Sequence, residues 1–135
     1  MSRPVIGLVT LILLAAVRPD AHHSVLGFDS AHAVTLRGVV TEVLWNNPHT
    51  YIVVMATPTN GRTVSGPQPA PTRWVIESES PVALRRLGWT RDSVRAGDAI
   101  VTLGAPDRHG KSIMRCQSVT VEGRPGLPCY PPTTQ

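Results

Sequence analysis

Residues 34–45 read VTLRGVVTEVLW, and the fold turns on this stretch. Its β-branched residues mark a strand, but its apolar positions do not keep to one side. Val34, Leu36 and Val40 share one parity, Val39 and Val43 the other, and Gly38 lies between them. A long strand that changes face at a glycine is what a bent strand shared between two layers of a sheet looks like.

Downstream of it, Asn46-Asn47-Pro48 marks a turn, and Tyr51 to Ala56 (YIVVMA) is an apolar run of strand length with no polar face. Residues 57–72 hold Pro58, Pro67, Pro69 and Pro71 together with Gly61 and Gly66, and form a flexible hairpin loop. Arg73 to Glu79 (RWVIESE) is a third strand, with Trp74 and Ile76 on one face. Ser80-Pro81 then pairs a capping hydroxyl with a proline suited to the first helical position. A brief helix follows, with Val82, Ala83, Leu84 and Leu87 as its apolar side and Gly88 as its stop. Asp98 to Leu103 (DAIVTL) and Ser112 to Glu122 (SIMRCQSVTVE) supply the fourth and fifth strands, and no internal repeat is visible.

The order is strand, strand, strand, short helix, strand, strand, with a bent first strand. It specifies an all-β chain with one short helix, in the five-stranded OB-fold-like Greek-key barrel, which closes its sheet and leaves no edge. A small β-sandwich is the alternative. The expected organisation is a signal peptide at 1–21, an N-terminal arm at 22–33, the barrel domain at 34–122 and an irregular C-terminal tail at 123–135.

The export reading rests on the N-terminus. Arg3 precedes the 13-residue apolar run Val5 to Val17, which is the size of a signal-peptide core and short of the ~20 residues that span a bilayer. Arg18-Pro19-Asp20 ends the run, and Ala21 suits the position before a cut, with a cut after Ala16 as the competitor. No cysteine lies near for a lipid anchor, so no stable membrane anchor is expected after cleavage. The 13 basic residues then lose Arg3 and Arg18, and the 9 acidic ones lose Asp20, for a net charge of +3 on 114 residues. That length holds one core and no second domain. The charge is scattered (Arg37, Arg73, Arg91, Lys111 among others) rather than gathered on one face with stacking aromatics, so no nucleic-acid partner is expected. Cys116 and Cys129, 13 apart, suit a disulfide in an oxidising periplasmic or secreted setting. A thiolate metal pair lacks the tight C-x-x-C spacing.

Four of the five histidines (His22, His23, His32, His49 and His109) fall within residues 22–49. Cleavage after Ala21 would make His22 the N-terminus, so its α-amine and ring Nδ1 could chelate one ion. A second imidazole completes a T-shaped set of three nitrogens, the arrangement called a histidine brace, which suits Cu(II). His49 is the best-placed partner because Asn47-Pro48 fixes the backbone before it; the alternative is that His49 simply hydrogen-bonds a backbone carbonyl at the end of the turn. The arm from His22 to Ala33 has 12 residues and spans tens of ångströms at ~3.3 Å each, enough to fold back to that corner. The metal ligands expected are thus His22, His49 and possible third donor His23, with copper as cofactor. His32 and His109 are expected to be solvated loop residues. Glu77 and Glu79, two apart on a strand, are expected on a solvated face. There is no nucleophile elbow and no phosphate-cradling loop, so no catalytic residue is assigned. The alternative to a copper carrier is a metal-free module that binds a protein partner or small ligand through the barrel face and loops, with Trp45, Tyr51, Trp74 and Trp89 as contacts. An enzyme using bound copper is a third reading.

One further pattern stands out. The start His22-His23-Ser24, then Phe28-Asp29, Val34-Thr35-Leu36-x-Gly38-x-Val40, Asn47-Pro48-His49, Trp74-x-Ile76-Glu77, Leu84-x-x-x-Gly88-Trp89-Thr90 and Gly97-Asp98 together resemble an uncharacterised family of small exported bacterial proteins. That family is assigned only as a domain of unknown function. The resemblance covers roughly residues 21–122. It implies export and the same compact β fold, and it implies no activity. It also makes the His-His start and the Asn-Pro-His turn family features. The chain departs from the pattern in its long proline-rich loop at 57–72 and in Cys116 and Cys129.

Overall fold

A computed structural model of the chain describes residues 27–59 and 69–130. They form β1 (Val34–Trp45), β2 (Thr50–Pro58), β3 (Thr72–Glu77), α1 (Pro81–Arg86), β4 (Ala99–Pro106), β5 (Ile113–Val121) and β6 (Leu127–Pro128). The sheet runs β3-β2-β1-β4-β5-β6, and a parallel pairing of β3 with β5 closes the first five strands into a barrel. Every other pairing is antiparallel. This is the OB-fold-like barrel, and the closure excludes the sandwich. The segment after Glu122 is less irregular than its prolines suggest: Leu127 and Pro128 pair with Val119 and Ser118 as β6.

The bend in β1 has a different cause from the one its glycine suggests. Leu36 and Val40 are buried, while Val43 and Trp45, of the other parity, also pack on the core. The face changes at Thr41. The register passes from Val40↔Val54 to Glu42↔Val53, so Thr41 is the extra residue of a bulge. Its hydroxyl donates to the Val53 carbonyl at 3.2 Å. Gly38 serves close approach instead, because a Cβ there would overlap the Met55 carbonyl oxygen and Ala56 of β2. Val39, assigned to the second apolar face, is 47% exposed.

The core is a closed cluster built from Leu36, Val40, Ile52, Val54, Ile76, Leu84, Met114 and Val119. Burying each such side chain contributes about 1.5–3 kcal/mol. Helix α1 is capped as its sequence implies. Ser80 accepts a hydrogen bond from the Ala83 amide, Pro81 opens the helix, and Gly88 at φ 91° lets the chain reverse so that the Trp89 amide reaches the Leu84 carbonyl. Its apolar side is narrower than the sequence suggests: Leu84 is fully buried, Val82 is 51% exposed. Trp89, a contact candidate from the sequence, is core, and its indole N–H donates to the Pro128 carbonyl at 2.7 Å. Cys116 and Cys129 form a disulfide with Cα atoms 5.6 Å apart, within the ordinary range, and both residues are fully buried.

Candidate site at the His49 corner

The β1–β2 turn, residues 46–49, carries His49 at one end of the barrel, immediately after the cis Asn47–Pro48 peptide bond. Two backbone bonds tie that turn to the end of β3. The Thr50 amide donates to the Glu79 carbonyl at 3.0 Å, and the Ser78 amide donates to the Thr50 carbonyl at 2.9 Å. The imidazole is oriented by the same segment, His49 Nδ1–H donating to the Ser78 carbonyl at 3.1 Å. A carbonyl oxygen can only accept, so the neutral ring carries its proton on Nδ1 and its basic lone pair on Nε2.

Glu77 Oε1 lies 3.7 Å from His49 Nδ1. The solvated face expected for Glu77 is not what the fold makes of it: the residue is 9% exposed. Glu77 stands opposite Tyr51 on β2 and beside Arg115 on β5 in the strand register. β3 ends at Glu77, so Glu79 does not share a strand face with it. The Tyr51 ring meets His49 edge-on, with centroids 6.3 Å apart and planes at 62°. Burial, and secondarily the charge of Glu77, raise the Tyr51 hydroxyl above its ordinary pKa. The Arg115 guanidinium lies 4.0 Å from the centroid of the Tyr130 ring, a cation–π contact. Tyr130 is also raised, chiefly by burial, against the opposing pull of its hydrogen bond with Arg115. The corner therefore gathers an oriented imidazole, a buried carboxylate, two tyrosines and an arginine.

His22 and His23 lie outside the described residues, as does the signal peptide at 1–21. No group of three or more His, Cys, Asp or Glu is arranged to hold a metal among the described residues. The arm is tied down before it reaches the barrel. The Arg108 amide donates to the Gly27 carbonyl, and the Asp29 amide to the Pro106 carbonyl. His32 is solvated and donates through Nδ1 to Asp29 at 2.9 Å, and His109 sits exposed on a turn capped by Asp107. Trp45 and Trp74 are half-buried, and their indole N–H groups have no hydrogen-bond partner among the described residues. Two surface depressions, of about 260 Å³ beside Val39, Val101 and Glu122 and about 190 Å³ beside Val94 and Leu127, are bounded by neither His49 nor Glu77.

The part of the site that sequence reasoning missed is Glu77. No signal in the sequence marked it: alternation places Glu77 on the face opposite Ile76, and its pairing with Tyr51, two residues beyond His49, is visible only in the fold.

A family model described as a family of unknown function, DUF6152, matches residues 10–115. No curated protein and no solved structure matches the chain.

Proposed function

The chain belongs to that family of unknown function, and on that premise we propose that it is an exported binding module whose His49 corner helps to hold one Cu(II) ion. In this reading it is a carrier or sequestering protein without catalysis of its own. The ligands would be the amine and ring of His22, then His49 through Nε2, with His23 as a further donor. The observation that carries the reading is the bond from His49 Nδ1–H to the Ser78 carbonyl. Metal-ligating histidines almost always donate their other ring N–H in this way, which sets both the tautomer and the ring orientation.

The length of the arm is compatible with it. Five residues, 22–26, precede the tie at Gly27, and they reach about 17 Å at ~3.4 Å each. From Phe28 the path crosses Asp107 and Ile113 to Val75, three ladder spacings, then two residues along β3 to Glu77. At ~4.8 Å per spacing and ~3.4 Å per residue that is roughly 16 Å. In this reading residues 22–26 have almost no reach to spare, a tighter requirement than a freely folding arm of 12 residues would impose.

Export is supported by one feature. The Cys116–Cys129 disulfide belongs to oxidising compartments.

The experiment is a copper titration of the exported protein, its mature N-terminus first established by mass spectrometry. It is compared with His49→Ala and with a variant carrying one Gly before His22, which keeps every side chain and displaces the terminal amine. Both variants should bind more weakly than the parent, and acidification should weaken the parent, because amine and imidazoles must shed protons to ligate. If both bind as tightly as the parent, the brace is wrong. The metal-free binding module then becomes the better reading, with the half-buried Trp45, Tyr51 and Trp74 as its contacts.

A further inference from the structure

We propose that the outer face of β1 and β4 is a dimerisation surface, on which a second copy of this chain docks. Among the described residues five large apolar side chains are exposed, and three of them, Val39, Met55 and Leu103, stand on this face of the barrel. Alternation along paired strands turns one set of residues outward together. Val39 lies opposite Met55 of β2 and Ala99 of β4, Arg37 opposite Val101, and Thr35 opposite Leu103. The inward set of the same strands, with Leu36, Val40 and Ile100, already fills the core. Single apolar residues scattered over a surface are ordinary, whereas a contiguous group marks a contact. Both β1 and β4 are hydrogen-bonded on each edge, so a partner here meets side chains and cannot add a strand.

Charge and shape favour a second copy as the occupant. The depression of about 260 Å³ beside Val39 and Val101 is also bounded by Arg37 and Glu122, both exposed. Neither makes an ion pair among the described residues. An apolar centre flanked by one unpaired charge of each sign is complementary to itself. In a two-fold arrangement each Arg37 faces Glu122 of the other copy, so one contact is made twice. Met55, at the edge of the same face, supplies a flexible side chain that adapts to an irregular depression. An unrelated partner would have to bring both charges in matching order, whereas a second copy brings them by symmetry. Four strands at ~4.8 Å and three rows of outward residues at ~6.8 Å give a flat footprint of roughly 400 Å², about half of what each side of a stable interface buries. The dimer is therefore a reversible one.

The test is sedimentation velocity on the purified chain, disulfide intact, from about 10 µM to about 1 mM, the range in which an interface below standard size associates. Folding of each variant is checked by its thermal transition. The parent should pass from monomer toward dimer as concentration rises. Val39→Asp places a charge at the centre of the face, which is desolvated only when two copies meet, so it should stay monomeric with the parent's Tm. Arg37→Glu and Glu122→Arg should each weaken association about 10-fold, because two reciprocal rim contacts turn repulsive at once. An equimolar mixture of those two variants restores both pairs across the interface and should associate like the parent. A parent that remains monomeric at about 1 mM overturns the proposal, and so does a dimer that survives Val39→Asp. Charge reversals that leave association unchanged, or whose mixture fails to recover it, overturn the reciprocal arrangement and with it the second copy as occupant. Should Val39→Asp not fold, the mixture of the two exposed charge variants still decides.

Discussion

Reducing the Cys116–Cys129 disulfide should cost the domain about 3 kcal/mol, and the figure follows from chain length. The bond closes a loop with a sequence separation of 13. Cross-linking a loop of that size removes about 10 cal/mol/K of entropy from the unfolded chain, or about 3 kcal/mol at 25 °C in the chain-entropy description. The folded state has its own stake in the bond, because the tail it fastens carries the Pro128 carbonyl that accepts from Trp89 and the Tyr130 ring under Arg115. If the tail detaches on reduction, the lost Trp89 bond adds about 1 kcal/mol. The expected range is therefore about 3–4 kcal/mol, or a fall in Tm of at least ~12 °C for a domain of this size. The assay is urea unfolding of the oxidised protein against the same protein held in excess dithiol, with thiol labelling to verify each state. A loss below about 1 kcal/mol would refute the assignment of the tail as a fastened part of the barrel. So would quantitative labelling of both cysteines in the native, unreduced protein.

The two tyrosines of the chain, Tyr51 and Tyr130, are both raised above the ordinary value of 10.0, chiefly by burial. An ultraviolet titration should therefore find no tyrosinate forming at the ordinary position while the protein is folded. The sign for stability follows: below the ordinary value both rings are neutral folded or unfolded, and above it the unfolded chain loses its protons first, so stability falls as pH rises toward the folded pKa. A normal tyrosine titration in folded protein would contradict the burial of both rings. Gly38→Ala should lose about 1–3 kcal/mol or more in denaturant unfolding, because the new methyl meets the β2 backbone, which cannot swing aside as a side chain would. Gly27→Ala, with nothing within 4 Å of its added carbon, is the control, and equal stabilities for the two would disprove the close approach of β1 and β2.

What could be read from the chain alone were the features whose causes lie within a few residues of each other. Ser80-Pro81 with Gly88 specified a helix because its cap, its first residue and its stop are local backbone chemistry. β-branched runs marked the five barrel strands, and their order around one short helix pointed to the barrel. Two cysteines 13 apart in a chain read as exported pointed to a bond between them. His49 could be singled out because the rigid Asn47-Pro48 corner is adjacent to it. Only the tertiary structure decided the rest, because each remaining feature depends on what packs against a residue from a distant part of the chain. β1 changes face at Thr41 rather than Gly38 because the bulge is a relation between two strands, and a parity count along one strand cannot locate it. Leu127 and Pro128 join the sheet because β5 offers them an edge and Cys116 holds them there. Glu77, expected in water, is buried beside His49 because β3 is paired on both sides, with Tyr51 across one edge and Arg115 across the other. Alternation along a strand tells which residues share a face. Whether that face meets water is set by the strands that close over it.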